Sequence, residues 1–297
     1  MRHALRRIRH FKPGVTFLLV LLGLLWLLPT LGVFVTSFRT VDDTMKNGWW
    51  NALLSPFSQN WTLDNYSYVI DQNGLVDSFI STFAIAFPAT VLPIMIATYA
   101  AFGFTFFDFK GKNAWFAVLL GLMVIPQQVA FVPIIQLFVA IGDKTMEWGW
   151  FDGNGLQIMG EYPAAWLVHI AFAMPLATYL FRNYMMTLPV ALIEAARIDG
   201  ANYYQIFWRL IIPMSVPALA SFGIFQFLWV WNDYLVAFFF VSNHTVLQTA
   251  LYSMMGTYGD GWQYVAAGSF VSMLFPLVVF FSLQRFFVRG LTGGSVK

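Results

Sequence analysis

Apolar residues fall in long unbroken runs along this chain, and polar residues collect between the runs. A hydrocarbon layer roughly 30 Å thick takes about 20 apolar residues in a helix. Six segments reach that length, at about 15–37, 78–104, 114–141, 162–181, 213–240 and 264–287. The pattern predicts an all-α integral membrane protein with six transmembrane helices. The first run follows Arg2, Arg6, Arg7, Arg9 and Lys12. It is longer than the roughly 7–15-residue core of a secretory signal, and no small-x-small cleavage site follows, so it reads as an uncleaved span.

Each run carries proline: Pro29; Pro88 and Pro93; Pro126 and Pro133; Pro163 and Pro175; Pro217; Pro276. Proline removes a backbone donor and kinks a helix. A bilayer tolerates this where neighbouring helices or a wet cavity satisfy the freed carbonyl. The expectation is a mobile, cavity-forming bundle rather than an anchor.

Composition narrows the function classes. Charged residues are 10% of the chain and hydrophobic residues 59%, where a soluble domain carries roughly 25% charge. That argues against a soluble enzyme or a nucleic-acid binder, and a net charge of +2 suggests no polyanionic partner. The absence of cysteine removes disulfides, zinc–thiolate sites and thiol catalysis. His3, His10, His169 and His244 have no metal-ligand spacing, so no metal site is expected.

Lysine and arginine set the orientation. With both termini cytoplasmic, 13 of the 16 basic residues lie inside, leaving only Arg39, Lys46 and Lys144 outside. Two outer segments are long, about 38–77 and 142–161. Their tryptophans suit the membrane–water interface, and Thr62 is placed to cap a short helix through Ile70.

The inner loop 188–213 is the most informative segment. Pro189 suits a first helical turn. Val190–Ile198 are good helix formers, with Ala191, Ala195 and Ala196 keeping one side slim. Asp199-Gly200 signals a turn, since glycine takes the left-handed conformation that ends a helix. A second short helix then runs from Asn202 to about Ile211, and Pro213 opens the fifth span. Ile193, Ile198, Ile206 and Phe207 are many apolar residues for a solvated loop. Two readings fit: a helix lying on the inner leaflet, or an element seated in a partner's groove.

The string Glu194-Ala195-Ala196, then Asp199-Gly200-Ala201, Phe207 and Pro213 resembles the "EAA loop" of ATP-binding-cassette importer permeases, in their MalG-like, sugar-uptake branch. Ile212 stands where that branch has leucine. Trp231-Asn232-Asp233-Tyr234 and the end Gln284–Lys297 are similar to the same branch. The resemblance implies a type I ABC importer permease fold in a bacterial cytoplasmic (inner) membrane. Residues 1–14 would be a cytoplasmic basic N-terminus, 15–287 the six-helix permease domain and 288–297 a cytoplasmic tail. It also implies a second, MalF-like permease subunit, an ATPase homodimer and an extracytoplasmic sugar-binding protein as partners. Glu194 would pair with a basic residue of the ATPase. Ala195 and Ala196 would allow close helix approach, and Gly200 would supply the turn. Asp199, Ala201, Phe207 and Pro213 complete the coupling segment. Gly293, Gly294, Ser295, Val296 and Lys297 would approach the ATPase dimer.

No G-x-x-x-x-G-K-[ST] phosphate loop is present, because Phe106 stands where Gly111-Lys112 would need a glycine. The chain is therefore expected to bind no cofactor; ATP and magnesium would belong to the partner ATPase. No catalytic constellation is visible. Asp233 is the one acid within a run, and intramembrane acids are functional candidates. With Asn232, Trp229, Gln226 and Gln128 it forms a set suited to a sugar path, through aromatic faces and side-chain amides. The same groups also serve helix–helix contacts. The expected function is the permease subunit of an ATP-driven carbohydrate importer. The alternatives are a permease for a polyol or glycerol phosphate, an ion-coupled secondary transporter, or an anchoring subunit.

Overall fold

A computed structural model describes residues 13–72, 74–149, 152, 154–256 and 260–292. In chain order the helices are α1 (Pro13–Ser37), α2 (Val41–Lys46), α3 (Trp49–Leu54), α4 (Asp64–Ser67), α5 (Leu75–Phe106), α6 (Lys112–Gly121) and α7 (Gln127–Glu147). They continue with α8 (Tyr162–Met185), α9 (Val190–Ile198), α10 (Tyr203–Ile206), α11 (Ile212–Trp231), α12 (Leu235–Phe240), α13 (Leu247–Ser253) and α14 (Trp262–Thr292). Among the described residues six helical stretches are long and apolar enough to cross a membrane: Pro13–Ser37, Leu75–Phe106, Gln127–Glu147, Tyr162–Met185, Tyr203–Trp231 and Trp262–Ser282. The chain is a multi-pass membrane protein.

Two of the expected spans have different limits. The run 114–141 is not one helix. It breaks at a short 3-10 turn, Leu122–Val124, and at Pro126, which is extended (ψ 129°) and precedes α7. Proline disfavours a helical residue before it, so α6 must end there. The run 213–240 is also divided. Its helix begins earlier, at Tyr203, and stops at Trp231, and α12 is a separate short helix.

The chain forms two compact units. The first comprises residues up to Leu75 and Leu251–Val271. Only 11% of the apolar window of α1 is buried within the chain, so that helix keeps nearly all its apolar surface for lipid or a partner. The segment after it is ordered rather than a solvated loop. Arg39 pairs with Trp61 through an isolated β-bridge and is 1% exposed. Asn65 Nδ2 donates to the carbonyls of Ser37 and Arg39, both at 2.9 Å. Trp49 lies on Gly32, where a Cβ would come within 2.7 Å of the indole nitrogen. Thr62 Oγ1 accepts from Asp64 N–H at 3.0 Å, and α4 passes into a wide turn through Gln72.

The second unit comprises Val76–Ala250 and the residues from Ser272. Its α5 carries two interior prolines, each of which leaves a carbonyl four residues earlier without its helical donor. Both carbonyls are answered from other spans. Trp166 Nε1 of α8 donates to Ala84 O (2.9 Å), four residues before Pro88. Gln226 Nε2 of α11 donates to Ala89 O (3.2 Å), four residues before Pro93. The kinks are thereby built into helix packing, as the proline pattern requires. A core of Ala97, Ala101, Phe102, Ala177, Phe181 and Phe222 joins α5, α8 and α11. The small residues let the helices approach closely.

Candidate functional site

The loop between α8 and α11 folds as helix–turn–helix. Pro189 sits at the N-cap rather than in the first turn, and α9 runs from Val190 to Ile198. Gly200 then takes φ +83°. Gly200 N–H reaches Arg197 O (3.0 Å) and Ala201 N–H reaches Ala196 O (2.9 Å). These are the two bonds of a Schellman ending, which satisfies the last carbonyls of α9. Asn202 starts α10 with a reciprocal capping box: its side chain accepts from Gln205 N–H, and the Gln205 side chain accepts from Asn202 N–H, both at 2.9 Å. The Arg197 guanidinium lies 5.0 Å from the Tyr203 ring centroid and bonds its hydroxyl at 3.2 Å, clasping the turn.

No break separates α10 from the fifth span. Residues 207–211 form a π turn in which Ile212 N–H bonds Phe207 O. Pro213 follows in the first turn of α11. Proline cannot donate to the carbonyl four residues back and its ring crowds it; the widened turn just before it absorbs both effects. Pro213 therefore lies inside one continuous helix, Tyr203–Trp231, instead of opening a new one.

Burial sorts the coupling candidates. Glu194, Ala195, Asp199, Gly200 and Pro213 are exposed, while Ala196 and Ala201 are half-buried. Phe207 is 3% exposed, stacked on Tyr99 at 4.4 Å and edge-on to Phe102 at 5.2 Å. It cannot touch a second chain from there. Ile193 and Ile206 join it in the bundle core, correcting the expectation that these side chains fill a partner's groove. The apolar surface that α9 leaves outside is Val190, Leu192 and Ile198, the last 87% exposed. Residues 190, 191, 194, 195 and 198 are all exposed and recur at helical spacing along one stripe of α9. The tail Gly293–Lys297 and the first twelve residues lie outside the described residues.

The sugar-path candidates converge in part. Asn232 ends α11, its Nδ2 bonding Leu228 O at 2.7 Å. Asp233 thus stands past the helix end, not within a helical span. From one residue before the Tyr234 N-cap, its Oδ1 accepts Val236 N–H at 2.9 Å and so satisfies a first-turn donor of α12. Gln128, Trp229, Asn232 and Asp233 line one cavity of about 600 Å³, together with Gln127 and Phe131. Trp229 turns 60% of its surface outward there. Gln226 departs from this set: it is the donor that holds Ala89 O, and it borders a neighbouring cavity of about 360 Å³ beside His169. Gln127, Phe225 and Trp229 line both cavities. Sequence reasoning missed Gln127 and Phe131, which α7 brings to the cavity wall after the break at Pro126. Both volumes lie in the range of ligand sites, roughly 300–1,000 Å³.

The family model for the inner membrane component of binding-protein-dependent transport systems matches residues 78–293, which include this loop and both cavities. The chain belongs to that family. Family membership makes it a transport permease and not an enzyme, and sets aside the ion-coupled and anchoring alternatives. Among its relatives is the osmoprotective compounds uptake permease protein GgtD of Synechocystis sp., 40% identical over 96% of this chain and 92% of the relative. Another is the alpha-glucoside transport system permease protein AglG of Rhizobium meliloti, 41% identical over 88% and 68% of the two chains. Among solved structures, a bacterial ABC transporter that imports the acidic polysaccharide alginate has a similar fold: TM-score 0.65 at 17% identity, over 94% of this chain and 97% of that one. The permease fold expected from the EAA loop is thus the fold present.

Proposed function

We propose that this permease is one half of the translocation path of an ATP-driven carbohydrate importer, both termini cytoplasmic, working with a second, homologous permease, an ATPase dimer and an external sugar-binding protein. The observation that carries the coupling role is the outward stripe of α9. Glu194 and Ala195 stand free there beside Ile198, while Ile193 ties the same helix into the core. A push on that stripe reaches the bundle through Ile193 and Phe207, and through the unbroken helix that leads to Trp231. At the far end of this helix the aromatic face of Trp229 and the groups of Gln128 and Asn232 offer what a sugar ring and its hydroxyls bind. Asp233 is engaged in capping α12 and adds an acceptor at the rim.

The chain has no cysteine, so a single thiol placed at Ala195 tests the coupling. With the candidate ATPase co-expressed, this thiol is expected to crosslink to it, with a yield that changes between nucleotide-free and ATP-bound states. No crosslink in a complex that still imports sugar would remove the coupling role. Likeness to a permease for osmoprotective compounds supports a second reading, in which the solute is an osmoprotective compound, such as a polyol. Competition of unlabelled polyol against labelled glucoside in proteoliposome uptake separates the two.

A further inference from the structure

The proposed function uses the cavity at Gln128, Trp229 and Asn232 and leaves the neighbouring one, of about 360 Å³, without a role. This second cavity lies between α8 and α11 and follows α8 from His169 to Leu180, about 16 Å of helix. Its upper and lower ends differ. His169 shares a small cavity with Val230 and Trp231, and Phe181 meets Phe222 at 5.3 Å. The two antiparallel helices thus set His169 level with Trp229, and Leu180 level with Phe222. Gln127, His169 and Gln226 gather at the Trp229 end, while Leu176, Leu180 and Phe222 make the other end apolar.

His169 is 5% exposed, and its ring makes no hydrogen bond among the described residues. Nor are its nitrogens sealed in, as the hydroxyls of Thr178 and Ser215 are; they open on cavity space. A buried polar group left without a partner is costly. On one side His169 and Asp233 border a cavity of about 10 Å³, room for about one water. A neutral imidazole has one donor and one acceptor, so a single water there leaves the other ring nitrogen to the 360 Å³ cavity. The Gln127 side chain is half-buried and makes no hydrogen bond among the described residues either. An acyl chain in this place would leave both groups unanswered. Between the two large cavities stand Phe225 and Trp229, 56% and 60% exposed, which line both.

We infer that the two cavities act as one elongated solute site, with one sugar ring on each side of Trp229 and His169 and Gln127 bonding hydroxyls of the second ring, so that this permease selects a disaccharide or longer glycoside over a single ring. This rests on the carbohydrate reading above and names the size class that the reading leaves open. A single ring or a short polyol would occupy the first cavity alone and leave His169 unanswered.

The test uses the full chain, co-purified with its partner subunits in mild detergent, and its lack of cysteine. Single thiols are introduced by Leu235→Cys in the first cavity and Ala173→Cys in the second. Their modification by a small methanethiosulfonate is read from the intact mass of this chain while methyl α-glucoside (one ring) or maltose (two rings) is titrated. Maltose is expected to protect both thiols, and methyl α-glucoside only the one at Leu235→Cys. His169→Leu should raise the maltose concentration that half-protects Ala173→Cys about tenfold, with protection of Leu235→Cys by methyl α-glucoside unchanged. His169→Gln, which keeps a donor and an acceptor, should restore part of the loss. Where thermal melting shows that His169→Leu does not fold, Gln127→Leu should weaken maltose protection of Ala173→Cys several-fold. Three outcomes would overturn the inference while protection of Leu235→Cys keeps the carbohydrate reading: equal protection of Ala173→Cys by the one-ring sugar, an Ala173→Cys thiol closed to the reagent by a partner subunit or lipid, or half-protection unchanged in folded His169→Leu and in Gln127→Leu. Protection of neither thiol by either sugar would remove the carbohydrate reading as well.

Discussion

A Cβ on Gly200 would meet nothing within 4 Å, so only its backbone, at φ +83°, excludes other residues. Gly200→Ala should therefore lower stability by about 1–2 kcal/mol, seen as a lower melting temperature, and misdirect α9 without any clash. Phe207 and Ile198 separate fold from contact. Phe207→Ala empties a core position and should cost about 3–5 kcal/mol of stability. Ile198→Asp alters an 87% exposed side chain and should leave melting unchanged while weakening co-purification of the ATPase. The string Glu194-Ala195-Ala196…Gly200 was legible because turn chemistry is local. Which of Ile193, Ile198, Ile206 and Phe207 face inward was not, since that depends on where Tyr99 and Phe102 of another helix stand.

At the scale of elements, proline announced every irregular span, but not what each break would become. Pro126 ends a helix. Pro213 follows a π turn inside one, and Pro88 and Pro93 stay within α5 because Trp166 and Gln226 take over the lost bonds. One amino acid gives three outcomes, chosen by the donors that the other helices bring within reach. A double-mutant cycle tests this. Gln226→Leu should cost about 1 kcal/mol beside Pro93 and much less beside Pro93→Ala, where the restored N–H serves Ala89 O. Equal costs in the two backgrounds, read by reversible denaturation in mixed micelles, would refute the pairing. Gln226 was legible as a polar residue in a span, but its acceptor, 137 residues away, was not.

At the scale of the molecule, six crossings were readable because hydrophobic length needs no tertiary information. The links between distant loops were not. Gly160 N–H donates to Phe240 O of α12, and Gly160 O accepts from Asn243 N–H. Glu161 accepts from Asn243 Nδ2 and meets His244 Nε2, both at 2.8 Å, and Tyr162 stacks on His244. The bond from Asn243, then that from His244, hold the Glu161 carboxyl below its ordinary value of 4.5. A depressed carboxylate stabilises the fold fully above that value and loses its contribution as pH falls through its folded pKa. Amide protection at residues 160–162 and 243–245, taken against the intrinsic exchange rate at each pH, should therefore fall on acidification below about pH 4.5, and Glu161→Gln should flatten that dependence. The same remote tethering bears on how the bundle can change shape. The two weak points of α5 are gripped by two different spans, Trp166 on α8 and Gln226 on α11. Straightening or deepening either bend must drag its own holder or let go of it, so this helix cannot flex in private: each change in its curvature is a signal delivered to two neighbours.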